Sequence, residues 1–117
     1  MLSATDLKAL CLEQAAAEET FPFGAEVSVF KVAGKMFALC ALDAQPLSIS
    51  LKCVPEVATK LRIEYPAITA GYHLNKQHWN TVLIDGSVPD RLVREMIEDS
   101  YDLVRAGLPK AVRLTLG

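Results

Sequence analysis

The sequence predicts an α+β sandwich: an antiparallel sheet with helices packed on one face, in the order α-β-β-β-α-β-α. Three observations predict it. Between residues 27 and 41, β-branched and aromatic runs are separated by turn residues rather than by helices. Leu47, Ile49 and Leu51 alternate with Ser48, Ser50 and Lys52, the pattern of an antiparallel strand with one wet face. Leu92, Met96, Ile97, Tyr101 and Val104 then recur at helical spacing. Strands and helices are segregated along the chain, which favours a layered α+β arrangement over βαβ units.

The first helix is expected from Ser3, because Ser3 and Asp6 have the spacing of a capping box. Leu7, Leu10, Cys11 and Ala15 give it an apolar stripe, and Glu18-Glu19-Thr20 leads into a turn at Phe21-Pro22-Phe23-Gly24. Strands follow at 27–32, 35–41 and 47–52. They are joined by the tight Ala33-Gly34 connection and by a turn at Asp43-Ala44-Gln45-Pro46. Pro55 opens a second helix, where its missing N–H is not needed. Tyr65-Pro66 closes that helix, since a residue before proline avoids helical backbone. Residues 67–77 read as a long connection and 78–84 as a fourth strand. Ser87 and Asp90 have a second capping-box spacing before the third helix, which Gly107 and Pro109 stop. The tail at 110–117 is short enough to hold at most one further turn.

Bulk properties narrow the function classes. A chain of 117 residues reads as a single domain over 1–117, able to bury a core without staples. With 51% hydrophobic and 22% charged residues, disorder is excluded. No apolar run reaches the ~18 residues of a membrane span, and Met1 to Asp6 lacks the basic-then-apolar pattern of a signal peptide. A cytoplasmic location is expected. Cys11, Cys40 and Cys53 are odd in number and irregularly spaced, so neither a disulfide framework nor a zinc site is expected. Cys53, beside Lys52 and ahead of Pro55, comes nearest to an activated thiol. Net charge is −2, unevenly spread: residues 31–80 carry six bases and three acids, between more acidic ends.

One segment concentrates the recognition chemistry. Gly71 to Thr81 holds both histidines, the only tryptophan and both asparagines. Several phrases occur with it in a fixed order. They are Phe21-Pro22-Phe23-Gly24, Phe30-Lys31-Val32, Gly34-Lys35-Met36-Phe37-Ala38, Leu51-Lys52-Cys53 with Pro55-Glu56, His73-Leu74-Asn75-Lys76 with His78-Trp79-Asn80-Thr81-Val82, Asp85-Gly86 and Ser100-Tyr101. Together they resemble the MmcQ/YjbR family of small bacterial proteins, from about residue 5 to residue 110. The resemblance implies a frataxin-like (CyaY-like) sandwich of the double-wing type and a DNA-binding role. Val54 stands where such sequences often carry a polar helix cap.

DNA is therefore the expected partner, through a sheet-and-loop surface around residues 73–80. Lys31, Lys35, Lys52 and Lys76 are the expected phosphate contacts, and His73, Asn75, His78 and Asn80 the polar ones. Few phosphate contacts imply weak, salt-sensitive binding. The alternative is a protein- or small-ligand-interaction module using the same loop, which the −2 charge favours. A regular strand at 78–84 puts Trp79, Thr81 and Leu83 on one face, which reads Trp79 as core rather than platform. Lys60 and Arg62 read as helical charges facing water. Glu13, Glu18, Glu19 and Glu26 read as a solvated surface, not an iron-binding ridge. No cofactor and no metal are expected: His73 and His78 lack a third ligand in sequence. No nucleophile–base pair or phosphate-cradling loop is visible, so no enzymatic activity is expected.

Overall fold

The computed structural model describes residues 1–71 and 74–116. Helix α1 spans Ala4–Leu12. Its Ser3 hydroxyl accepts from the Asp6 N–H at 3.1 Å, and the Ser3 N–H donates back to the Asp6 carboxylate at 2.8 Å. The predicted capping box is thus present, and the Ser3 N–H, then the Ser3 hydroxyl, hold the Asp6 carboxyl below its ordinary range.

Helix α1 ends sooner than expected. Ala16 adopts φ 59, and Ala17–Thr20 forms strand β1 rather than a last helical turn. The sequence Ala-Glu-Glu-Thr favours helix locally, but pairing with the next strand overrides it. Strand β2 (Ser28–Val32) and β3 (Lys35–Cys40) form a hairpin through Ala33 and Gly34, whose φ values of 48 and 80 suit a tight primed turn. Strand β4 is Ser48–Lys52, followed by helix α2 at Pro55–Glu64, which Val54 leaves without a side-chain cap. Inside the expected long connection lies another short strand, β5 (Ile68–Ala70). Strand β6 is Trp79–Leu83. Helix α3 (Asp90–Ala106) starts after Pro89 without a side-chain cap, so the second capping box does not form. Ser87 instead donates to the Asp85 carboxylate at 2.6 Å, closing a local turn. Lys110–Arg113 is the short helix α4.

The sheet has six strands in the order β1-β2-β3-β4-β6-β5, each neighbour pair antiparallel. The α+β class and the four predicted strands stand. The two unpredicted strands are short and lie at the sheet edges, where local sequence carries the weakest signal.

Paired residues of an antiparallel ladder share a face. One face carries Phe30, Val32, Ala38, Cys40, Ile49, Leu51, Ile68 and Val82, which join Leu7 and Cys11 of α1 and Val93, Ile97, Tyr101 and Val104 of α3 in one buried cluster. Helix α2 covers the same face farther along, where the Asn80 amide donates to the Ala58 carbonyl. Among the described residues the opposite face carries no helix. Phe37 marks an irregularity: Phe30 pairs with Ala38 and Lys31 with Met36, so Phe37 is bulged. Its ring meets Tyr101 edge-on at 5.4 Å in the core.

Candidate functional site

The register lays out the helix-free face in transverse rows. At one end of that face Glu18, Lys31 and Met36 pair across β1, β2 and β3, and Lys52 pairs with Trp79 across β4 and β6. Gly71 follows beyond Trp79, its N–H bonded to the Trp79 carbonyl at 2.8 Å. The next row runs Thr20, Val29, Leu39, Ser50, Thr81 and Thr69. Strands lie about 4.8 Å apart, so the β2 and β4 backbones that carry Lys31 and Lys52 run roughly 10 Å from one another. Ser50 and Thr81 share a hydrogen bond of 2.8 Å between hydroxyls, which levels the middle of the face.

Lys35, Met36, Lys52 and Trp79 line a depression of about 330 Å³, closed on its far side by Leu103, Val104, Gly107 and Leu108 of α3 and its C-terminal turn. Lys35 is exposed and Lys52 half-buried, both at strand ends. Trp79 lies outside the core cluster, on the helix-free face, yet only 8% of it is exposed. It is a buried residue, as its strand position predicts, and not an open stacking platform; its remaining exposed edge forms a wall of the depression. Gly71 explains its position, because a Cβ there would lie 2.8 Å from the Trp79 Cβ. No larger residue fits without moving the indole.

The loop beside this end of the sheet is tied down from within. Asn75 is exposed, but its side-chain oxygen accepts from the Gln77 and His78 N–H groups at 2.9 and 3.3 Å. His78 is half-buried, and its carbonyl accepts from the Cys53 N–H at 2.7 Å. Lys76 is exposed, and its carbonyl accepts from Arg62 Nη1 at 2.8 Å. The same Arg62 nitrogen donates to Asn80 Oδ1 at 3.2 Å.

Two readings of side chains change here. Asn80, offered as a polar contact, is 0% exposed, and both ends of its amide are engaged by α2. It ties strand to helix, since a buried amide must find partners within the protein. Arg62, taken for a water-facing charge, is half-buried and holds the loop against α2. His73 lies outside the described residues. The structure thus brings Lys31, Lys35 and Lys52 to one end of the sheet, with Asn75, Lys76 and His78 on the adjoining loop.

Sequence reasoning missed Met36 and the α3 residues of the depression. Met36 reads as an ordinary strand apolar, and only the bulge at Phe37 turns it to the open face. The Cys53 thiol is not activated: burial and the Asp99 carboxylate raise it above the ordinary range, against a smaller opposing effect of Arg62. Cys53 instead lies with Val54, Val57, Asp99, Asp102, Leu103 and Ala106 in an apolar groove between α2 and α3. Burial, then Asp102 and Glu95, raises the Asp99 carboxyl. Among the described residues no group of three or more His, Cys, Asp or Glu could hold a metal ion. No helix of theirs is long and apolar enough to cross a membrane.

The YjbR family model matches residues 12–103, all six strands, α2 and most of α3. The chain belongs to the YjbR family. Protein YbdF of Escherichia coli O157:H7 is 41% identical over 104 residues, covering 88% of this chain and 84% of its own length. Protein YjbR of Escherichia coli strain K12 is 30% identical over 115 residues, covering 98% of each. The crystal structure of Deinococcus radiodurans protein DR2400, a DUF419 domain, matches with a TM-score of 0.93 at 45% identity, over 100% of this chain and 89% of that one. A crystal structure from Pseudomonas syringae matches with a TM-score of 0.65 at 29% identity, over 75% of this chain and 86% of that one. The YjbR relatives YbdF and YjbR are named as uncharacterized, so the likeness establishes family and fold and leaves activity to the site.

Proposed function

We propose that this YjbR-family chain is a non-enzymatic, cytoplasmic nucleic-acid-binding protein that uses the helix-free sheet face and the 74–78 loop. The observation that carries this reading is the separation of charge between the two sides of the sheet. The open face presents Lys31 and Lys52, with Lys35 and Lys76 at its margin and Glu18 opposing them. The acids Glu95, Glu98, Asp99 and Asp102 lie on α3, behind the sheet. A phosphate backbone is drawn to the first surface and repelled by the second, whatever the net charge. Ser48, Thr69 and Thr81, all at least partly exposed, add hydroxyls to the open side, a chemistry suited to phosphate and sugar contacts.

Four lysines bound the affinity. Neutralising four phosphates gives a slope of log K against log salt no steeper than about −3.6. A polarisation titration of labelled DNA at low and moderate salt tests the reading. Lys52→Glu and Lys31→Glu are expected to abolish binding at moderate salt, and Arg91→Glu, exposed on the first turn of α3 behind the sheet, to leave it unchanged. Absence of binding by the wild type at low salt refutes the proposal.

A further inference from the structure

We infer that the depression beside Trp79 seats one unpaired nucleotide, so that the chain binds single-stranded nucleic acid in preference to duplex. This inference rests on the nucleic-acid reading above and makes its ligand specific.

Shape comes first. Duplex readers insert a helix or a two-stranded ribbon into a groove. Among the described residues the helices pack behind the sheet, and only the C-terminal end of α3 reaches round to the strand ends, where it closes the depression. The β2–β3 hairpin is paired with β1 as far as Val32 and ends in a two-residue turn, so no ribbon projects. A flat sheet face offers little to the major groove of a duplex. It can support an extended strand whose bases are free to turn toward the protein.

The depression supplies a place for such a base. Its volume of about 330 Å³ lies at the lower end of the range for small-molecule sites. Its walls are mixed in the sense a nucleotide requires: Trp79, Met36, Leu103 and Leu108 are apolar, while Lys35 and Lys52 carry charge. The apolar walls suit the faces of a base, and the two ammonium groups suit its phosphate. Lys31 lies at the same end of the sheet as Lys52, two strands away, and continues the cationic surface toward the adjoining phosphates. A base paired in a duplex reaches this slot only after unstacking, at a cost of a few kcal/mol. A single strand avoids most of that cost.

Trp79 is the sole tryptophan, so its emission reports occupancy directly. The experiment titrates the full chain with a labelled single strand, with the same sequence annealed as duplex, and with unlabelled deoxynucleoside monophosphate or inorganic phosphate. The single strand is expected to bind at least tenfold more tightly than the duplex at equal salt. The monophosphate is expected to change Trp79 emission, and inorganic phosphate to leave it unaltered. Met36→Phe, which narrows the slot without changing charge, is expected to bring single-strand affinity down to that of the duplex. Equal affinities for both forms, or equal responses to monophosphate and phosphate, overturn the inference while the sheet-face reading stands. Absence of binding by either strand form overturns both.

Discussion

The Ser100 hydroxyl donates to the Phe37 carbonyl at 2.5 Å, filling the gap that the bulge opens between β3 and β4. It also accepts from the Lys52 N–H at 2.8 Å. Continuing the ladder beyond the Ala38–Leu51 pair would set Phe37 opposite Lys52, and Ser100 bridges the two instead. Helix α3 thereby holds the backbone of Lys52, on the candidate surface. Ser100→Ala leaves a buried carbonyl and an N–H unpaired at once. At about 1–3 kcal/mol for each such group, the expected loss is roughly 2–4 kcal/mol in urea unfolding. Ser87→Ala, in an exposed turn, is expected to cost well under half as much. Similar losses for the two variants would remove Ser100 from this structural role.

Asn80 separates a structural role from a contact role. Its amide joins β6 to α2 through Ala58 and Arg62 while wholly buried. Asn80→Ala is expected to destabilise the fold by about 2 kcal/mol, through an unpaired Ala58 carbonyl and a loosened Arg62. Nucleic-acid affinity of the folded variant is expected to match wild type. A stable Asn80→Ala protein with weakened binding would restore the residue to the contact set.

The segment from Gly71 to Thr81 shows how far the sequence was legible. Its strand, and the sharing of a face by Trp79, Thr81 and Leu83, follow from the two-residue period. Which face is buried does not follow from the period, because Asn80 reads as polar and Trp79 as apolar. Both side chains are buried: Trp79 as expected, on the face opposite the helices, and Asn80 against expectation, because α2 supplies partners for its amide. Likewise Lys31 and Lys52 were legible as strand lysines. Their place at one end of one face depends on strand order and on the bulge at Phe37, which no local pattern announces. Strands β1 and β5 were hidden for a related reason, since four and three residues at an edge are defined by their partners.

Gly71 and Trp79 make a sharper test of the site's geometry. A Cβ at Gly71 would also approach the Trp79 carbonyl and the Leu74 Cβ, each at 3.2 Å. One backbone oxygen and two Cβ atoms, each fixed by its own backbone, cannot yield cheaply. Gly71→Ala is therefore expected to cost about 1–3 kcal/mol, the usual range for overpacking, and to shift Trp79 emission in the native state. An unchanged spectrum with unchanged stability would mean that the contact is relieved without moving the indole.

The buried thiols give the fold a pH dependence of defined sign. Burial pushes Cys11 and Cys40 up to about 12, from an ordinary value of 9.0. Cys40 also donates to the Ser48 carbonyl at 3.1 Å, which favours its protonated form. Above pH 9 the unfolded chain releases these protons and the folded chain keeps them. Their stabilisation is therefore complete below pH 9 and is lost as pH rises toward 12, by about 1.4 kcal/mol per pH unit for each thiol. Urea unfolding at pH 8 and pH 10, under reducing conditions, measures this slope. Cys11→Ala lowers stability at both pH values by removing buried volume, but it is expected to make the decline between them shallower by roughly 1 kcal/mol. Thiol labelling offers an independent check at pH 8. Of the three cysteines only Cys53 is partly exposed, so one thiol is expected to react in the native protein, slowly because its pKa is raised. Rapid reaction of all three without denaturant, or equal pH slopes for wild type and Cys11→Ala, would show that Cys11 is not held protonated by burial.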